Sequence, residues 1–292
     1  MSLFAQELEL QSAIADRNVR STGDASAVAS SKSLLKNRST AKPAVDAVAE
    51  KVLRAFNTWA FKREQPSDPQ LMLRFIAEAV ALREPVRFVL YWGKGPRHAA
   101  GSPDAQCLDF LVALASRVTE AYAPGAAVKL ILTDTHAELN GHSRQDICRY
   151  FDDIESLARE RNIQVCRLGQ LVKAAGDLAT AAPIEDIVSA ETLSNLIACA
   201  RKWYRGGDTA EAGALQYLRM NLIEQRVVER AFPGAIFITF NGSDLRSLFP
   251  RQLPIFYMYS LRRGFGVKPW FLTDDAAQID RGGADEMRLD AS

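Results

Sequence analysis

Apolar residues follow two different patterns along this chain. Short runs rich in β-branched and aromatic residues predict strands, and longer segments in which apolar residues recur every three or four positions predict amphipathic helices. The predicted strands lie at 86–92, 128–133, 163–167, 235–240, 255–259 and 268–272. The predicted helices lie at 104–122, 144–161, 185–203 and 211–231. This alternation is typical of an α/β fold with a mostly parallel, Rossmann-like sheet flanked by helices.

The two ends of the chain differ in composition from the middle. Residues 1–43 are rich in Ser, Ala, Asn and Lys with little periodicity, which predicts a flexible leader with one short helix at 3–14. Helical spacing of apolar residues begins after residue 44, at Val48, Val52, Leu53, Phe56 and Trp59. We expect one α/β domain of catalytic type at 44–275 and a flexible tail at 276–292. The strand-rich C-terminal part of the domain is expected to run antiparallel at one edge of the sheet.

The composition is that of a globular protein. The chain has 292 residues, of which 48% are hydrophobic and 24% charged, enough to bury a large core. A formal net charge of +1 supplies no overall field that would draw the chain onto nucleic acid or an anionic membrane. The apolar runs are shorter than the roughly 20 residues that span a bilayer, and the first residues lack the features of a secretory signal. We therefore expect a cytoplasmic protein that binds neither nucleic acid nor membranes.

Four cysteines lie far apart, at positions 107, 148, 166 and 199. Without a C-x-x-C pair, the sequence contains neither a zinc knuckle nor a redox motif. Cys166 lies in an apolar run and Cys199 on a predicted helix, as is typical of small core residues. The pattern favours buried, reduced thiols over a catalytic nucleophile.

The loop after the first predicted strand is cationic. Ligands of open parallel sheets bind beyond the carboxyl ends of the strands, so loops at these ends are candidate sites. The loop at 93–98 places Lys94 between two glycines, with Arg97 close behind. It can present backbone N–H groups and positive charge to a phosphate or a carboxylate, although it lacks the spacing of a Walker A motif. A tight turn with solvated cations explains the same residues equally well.

A second polar loop, at 133–142, follows the next predicted strand. It contains Asp134, His136, Glu138 and His142, a composition suited to general acid–base catalysis. Histidines and carboxylates also bind metals, but the two histidines lack the i, i+4 spacing of H-E-x-x-H. Alternatively, Asp134 caps the following turn and both histidines lie at the surface.

The predicted helix at 211–231 carries the polar residues Tyr217, Arg219 and Glu224. Arg219 and Glu224 are five positions apart, which separates them by about 140° around a helix. At most one of them therefore faces a shared pocket. Solvated helix charges are the simplest interpretation of both.

A cationic cluster lies near the C-terminus, where Arg262 and Arg263 precede Lys268. Guanidinium groups bind phosphate and carboxylate well, so this cluster is a candidate anion site. A hairpin loop with exposed arginines is the alternative.

Several short segments lie in an order that is found in a known family. They are 52–54, 75–77, 85–90, 91–95, 103–104, 122–125, 132–134, 146–150, 232–239 and 268–270. This order resembles that of the isocyanide synthases related to pyoverdine and dityrosine biosynthesis. The loop 91–95 stands where members of that family have Phe-Pro-x-Lys-Ser, and 268–270 resembles their Thr-Pro-Trp. The resemblance covers roughly residues 48–272 and rests on motif order more than on identity.

The resemblance implies an enzyme of secondary metabolite biosynthesis. Members of the family convert an amino acid and ribulose 5-phosphate to an isocyanide, without a metal or an organic cofactor. The amine condenses with the sugar ketone to an imine, and one sugar carbon becomes the isocyanide carbon. The candidate catalytic residues are then Lys94, Asp134 and His136. The candidate substrate-binding residues are Arg97, His142, Asn241, Arg263 and Lys268.

The sequence departs from the family pattern at three positions. Asn241 stands in place of the His of Ser-Ile-His-Pro, Phe271 in place of the His of Thr-Pro-Trp-His, and His136 in place of the Arg of Asp-Gly-Arg. Because imidazoles transfer protons near neutral pH, either His136 and His142 take over the proton transfers or the isocyanide-forming step has been lost. The alternatives to a synthase are a family-derived enzyme with altered chemistry and a non-catalytic protein that binds small molecules.

Overall fold

The computed structural model describes residues 31–92, 100–176, 189–204 and 206–258. Contacts divide the chain into two units, residues 1–44 and 45–292, and residues 31–44 of the first unit are helical. The helices are α1 (Ser31–Phe56), α2 (Pro69–Leu82), α3 (Ser102–Ala121), α4 (Asp134–Leu139), α5 (Arg144–Arg159), α6 (Leu168–Ala175), α7 (Ala190–Trp203) and α8 (Ala210–Ala231). The strands are β1 (Val86–Trp92), β2 (Ala126–Leu132), β3 (Gln164–Arg167), β4 (Ile236–Thr239) and β5 (Ile255–Tyr257), and a 3₁₀ helix covers Ser243–Leu248.

The strands of the described chain form one parallel sheet in the order β3-β2-β1-β4-β5. This confirms the predicted α/β fold with a Rossmann-like sheet. β1 lies at the centre, where Phe88 pairs with Val128 on one side and with Ile236 on the other. Strands of such a sheet are apolar almost throughout because helices cover both faces.

The expectation of an antiparallel edge is wrong for the strands that the structure describes. β5 pairs with β4 in parallel, with Phe256 opposite Ile238. Residues 240–254 connect the two strands and include the 3₁₀ helix, which is the crossover of a dozen or more residues that a parallel pair needs. An isolated antiparallel bridge joins Met258, just beyond β5, to Lys62. The strand predicted at 268–272 lies outside the described residues.

Side-chain caps set where several helices begin. Asp68, Ser143 and Thr209 each accept a hydrogen bond from the backbone N–H three residues on, at the starts of α2, α5 and α8. α1 ends at Phe56, so Trp59, which was expected on its buried face, is 61% exposed. Within the described ranges, the helices are all too short or too polar to cross a membrane.

Side chains of the sheet alternate between two apolar cores. On one face, Phe88, Leu90 and Trp92 of β1 pack with side chains of α1, α2, α3 and α5. On the other face, Val89 packs with side chains of α6 and α8, and Tyr91 lies against this second core. Full burial of an aliphatic or aromatic side chain contributes about 1.5–3 kcal/mol, so both layers hold the sheet in place.

The carboxyl ends of all strands meet at one edge of the sheet because the strands are parallel. From β1 the chain adds β2 and β3 on one side of the sheet and then β4 and β5 on the other side, so the direction of winding reverses between β1 and β4. Ligands of open α/β sheets bind beyond the carboxyl ends of the strands at such a reversal. The segments that follow β1, β2 and β4 therefore frame the place to look for a site.

Candidate active site

α4 begins immediately after β2, where the sequence predicted a polar loop at 133–142. Thr133 is the N-cap of this helix. Its hydroxyl donates a hydrogen bond of 2.9 Å to the carbonyl oxygen of Trp92, the last residue of β1. The first turn of α4 therefore lies at the carboxyl ends of two neighbouring strands.

His136 and Glu224 form a buried pair at this edge. The distance between His136 Nε2 and Glu224 Oε2 is 2.6 Å. The hydroxyl of Thr135 donates to the other carboxylate oxygen, Oε1, also at 2.6 Å. His136 is 7% exposed and Glu224 0% exposed. The surface location considered for His136 is therefore wrong.

The pair has the arrangement of a base held by a carboxylate. An ionised carboxylate only accepts hydrogen bonds, so the proton of a neutral His136 imidazole lies on Nε2. This leaves Nδ1 as the ring nitrogen that can take a proton from a ligand. Glu224 fixes the tautomer and the ring orientation, as carboxylates do in enzymes that use histidine as a base.

Two tyrosines flank the imidazole ring. The ring of Tyr217 meets that of His136 edge to face, with centroids 5.5 Å apart. The ring of Tyr91 lies 6.3 Å from that of His136 and packs edge to face on Phe237 at 5.0 Å. Burial, and then the nearby Glu224, raises the pKa of both tyrosine hydroxyls above the usual range. Both hydroxyls therefore stay protonated at neutral pH.

Asp134 lies at the start of α4 and faces a second helix. Its Oδ1 accepts a hydrogen bond of 2.9 Å from the backbone N–H of Gly169, in the first turn of α6. A Cβ atom at position 169 would lie 3.1 Å from Oδ2, so the absence of a side chain there allows this close approach. Asp134 thus ties α4 to α6 while remaining half-buried.

The remaining candidates from the sequence are more scattered. His142 lies beyond α4, with its Nε2 3.4 Å from Nδ2 of Asn140. Asn241 lies beyond the end of β4, and its backbone N–H donates to the hydroxyl of Thr239 at 3.1 Å. Lys94, Arg97, Arg263 and Lys268 lie outside the described residues.

Sequence reasoning missed the role of α8. Glu224 was interpreted as a solvated helix charge, and this is wrong because it is buried against His136. Arg219 is exposed, which agrees with the expectation that at most one of the two faces a pocket. The available signal was spacing: Tyr217, Asn221 and Glu224 are four and three positions apart, so they share one helix face. All three are buried.

A second polar network lies on the opposite face of the sheet. The indole N–H of Trp92 donates to the hydroxyl of Tyr150 at 3.2 Å, and that hydroxyl donates to Oδ1 of Asp104 at 3.1 Å. Oδ2 of Asp104 accepts from the backbone N–H of Gly101 at 3.0 Å. These bonds join the end of β1, the start of α3 and the middle of α5 beside the candidate site.

The cysteines differ in exposure. Cys107 is buried as predicted, whereas Cys148 is exposed, which corrects the expectation of a buried thiol there. Burial raises the pKa of the half-buried Cys166 thiol to about 11. The side chain of Cys199 lies outside the described residues.

This difference predicts selective alkylation. At pH 8 iodoacetamide is expected to modify Cys148 about tenfold or more faster than Cys166, because the thiolate is the reacting species and Cys166 holds its proton. Peptide mass spectrometry over a time course measures both rates. The Cys148→Ser variant is the control, and equal rates at the two thiols would contradict the assignment.

No group of three or more His, Cys, Asp or Glu side chains that would suit a metal ion is found among the described residues.

The fold is similar to that of the PvcA protein from Pseudomonas aeruginosa, with a TM-score of 0.58 and 22% sequence identity over 77% of this chain and 87% of that chain. Tyrosyl-tRNA synthetase from Pyrococcus horikoshii, complexed with L-tyrosine, has a TM-score of 0.42 and 13% identity over 68% of this chain. The match covers 52% of the synthetase and is too weak to bear on fold or function. No protein-family model and no curated protein matches the sequence. The chain therefore shares the α/β fold of the PvcA protein.

Proposed function

We propose that this chain is an isocyanide-synthase-like enzyme of secondary metabolism. In this proposal the amine of an amino acid condenses with a sugar phosphate such as ribulose 5-phosphate, in the cytoplasm and without a metal or organic cofactor. The order of sequence motifs and the α/β fold support it. The observation that carries it is the buried His136–Glu224 pair at the carboxyl edge of the sheet.

The condensation is a sequence of proton transfers, which suits a histidine held by a carboxylate. The amine nitrogen attacks the ketone carbon, and one of its protons passes to the ketone oxygen to give a carbinolamine. The carbinolamine hydroxyl then gains a proton and leaves as water, and the nitrogen loses its second proton to give the imine. His136 would carry a proton from the nitrogen to the oxygen at each stage, as general base and general acid. Glu224 would act as a positioning residue that holds the imidazole in one tautomer.

The charge and polarity of the other candidate residues suggest their roles in this proposal. Lys94 and Asp134 are proposed as further catalytic groups. The phosphate and the amino-acid carboxylate need cationic and polar partners, for which we propose Arg97, His142, Asn241, Arg263 and Lys268. His136 stands where the family pattern has an arginine, and Asn241 and Phe271 stand where it has histidines. In this proposal His136 supplies the imidazole that is missing at those two positions.

The direct test supplies purified protein with ribulose 5-phosphate and each amino acid in turn, without added metal or nucleotide. Consumption of at least one pair is expected, and mass spectrometry identifies the product. Calorimetry with each ligand alone separates binding from turnover. Binding without turnover would favour a protein that binds small molecules. If no amino acid and no sugar phosphate is bound or consumed, the substrate assignment fails and the fold remains.

Two variants test the proposed site residues. Lys94→Ala and Asp134→Asn are each expected to lower turnover about tenfold or more while the fold survives. An asparagine at 134 keeps an oxygen that accepts from Gly169 N–H, so it removes the charge and preserves the link to α6. Arg219→Ala, on the exposed face of α8, is the control and should leave turnover unchanged. Wild-type turnover in both test variants would remove these residues from the site.

A further inference from the structure

The hydroxyl of Tyr91 is an unsatisfied polar group beside the His136–Glu224 pair. Its oxygen is buried, and it has no hydrogen-bond partner among the described residues. Leaving a buried hydroxyl unpaired costs stability, whereas a phenylalanine would fill nearly the same space without that cost. An unpaired hydroxyl at the carboxyl edge of a parallel sheet is therefore a feature that a bound ligand would satisfy.

The surroundings of this hydroxyl are acidic. Among the described residues, the ionisable groups that act on it are Glu224, Tyr217 and Glu229, and all three are acids. With a neutral imidazole, the His136–Glu224 pair carries one negative charge in a site where both members are at most 7% exposed. A buried charge without compensation is costly, and a bound cation offsets that cost. A phosphate or a carboxylate would be repelled from the same place.

Glu224 keeps the capacity to bind such a cation. A carboxylate has about four lone-pair positions. Thr135 and His136 occupy two of them, one on each oxygen. The rings of Tyr91 and Tyr217, which flank His136, add the attraction of aromatic faces for a cation.

We propose that Tyr91, Glu224 and Tyr217 form the subsite that binds the protonated primary amine of the substrate. The ammonium group donates one hydrogen bond to the Tyr91 hydroxyl oxygen and one to Glu224, with the Tyr217 ring alongside. This assignment deepens the proposed function and rests on it for the expectation that the substrate is an amine. It separates the amine subsite from the cationic groups proposed to bind the phosphate and the carboxylate.

The test measures binding of amino acids in the absence of any sugar phosphate. Calorimetry with the twenty common L-amino acids identifies the one that binds most tightly. Its α-hydroxy acid, in which a hydroxyl replaces the ammonium group, serves as the probe that keeps the carboxylate and lacks the cationic group. Wild-type protein is expected to bind the amino acid about tenfold or more tightly than the hydroxy acid.

Tyr91→Phe should lower affinity for the amino acid about fivefold or more and change affinity for the hydroxy acid less than about twofold. Its Tm should not fall, since the hydroxyl has no partner to lose in the described structure. The matched control is Tyr122→Phe, which removes a hydroxyl that contacts the carbonyl oxygens of Ala79 and Glu84 at 3.2 and 3.1 Å, far from the site in the fold. The control should change neither affinity.

Three results would overturn the subsite: equal affinity for the amino acid and its hydroxy acid, equal amino-acid binding by the Tyr91→Phe and Tyr122→Phe variants, or no binding of any amino acid. Failure of the proposed reaction is distinguishable. If the protein binds the amino acid more tightly than the hydroxy acid, and Tyr91→Phe removes this difference, the subsite is supported. If the same protein does not turn over ribulose 5-phosphate, the synthase is contradicted. Turnover by Tyr91→Phe with wild-type KM contradicts the subsite and supports the synthase.

Discussion

His136→Leu is expected to lower the free energy of unfolding by about 1.5–3 kcal/mol, because it removes a hydrogen-bond donor from the buried Glu224 carboxylate. Glu224 is 0% exposed, and without His136 its carboxylate would stay buried with Thr135 as the donor that the structure shows. The double variant His136→Leu/Glu224→Leu removes the stranded charge together with its partner. It should recover stability to within about 1 kcal/mol of wild type. Urea unfolding of the single and double variants gives the coupling energy.

The matched control for this cycle is the exposed pair Arg159–Glu155 on α5, whose atoms are 3.2 Å apart. A solvated pair at this helical spacing should show a coupling of about 0.3–0.5 kcal/mol. A coupling for His136 and Glu224 as small as that of the control would mean that water reaches the pair.

Glu224→Gln is expected to lower kcat about 100-fold or more while leaving the fold intact. The glutamine oxygen can still accept from Thr135, but its amide group then faces His136 Nε2 as a donor. The imidazole must accept at Nε2 and carry its proton on Nδ1, so Nδ1 can no longer take a proton from the substrate. Steady-state kinetics with the substrate pair found in the amino-acid panel measures the effect, and circular dichroism verifies the fold.

The exposed substitution Glu120→Gln on α3 provides the control, because Glu120 lies at the opposite end of that helix from the carboxyl edge of the sheet. A turnover within about threefold of wild type in Glu224→Gln would show that the tautomer of His136 does not matter to the reaction.

The sheet was predictable from sequence because each strand is a short apolar run with its own local signal. β1 has the bounds that were predicted, and β2, β3 and β4 differ from the predicted strands by a few residues. The direction of β5 was not predictable from such signals. It depends on how residues 240–254 fold back across the sheet, and the 3₁₀ helix within them has only six residues, too few for a periodic pattern to reveal.

The candidate site was predictable only in part. Asp134 and His136 stood out because polar residues followed a predicted strand. The helix α4, which holds them, has only six residues and is too short for a periodic pattern to reveal. The partner of His136 was missed because Glu224 lies 88 positions further along the chain, and a single sequence does not report such a contact.

The strand order also has a consequence for biosynthesis of the protein. β1, β2 and β3 are close in sequence and emerge early from the ribosome, whereas β4, the other neighbour of the central strand, emerges only after α8. Pairings between distant segments form late because closing a long loop costs chain entropy. A nascent chain that ends before α8 carries His136 but not the carboxylate that orients it, and β1 has one edge unpaired and open to aggregation. Rare codons or pauses placed within α7 are therefore expected to lower the yield of active protein more than similar pauses placed after β5.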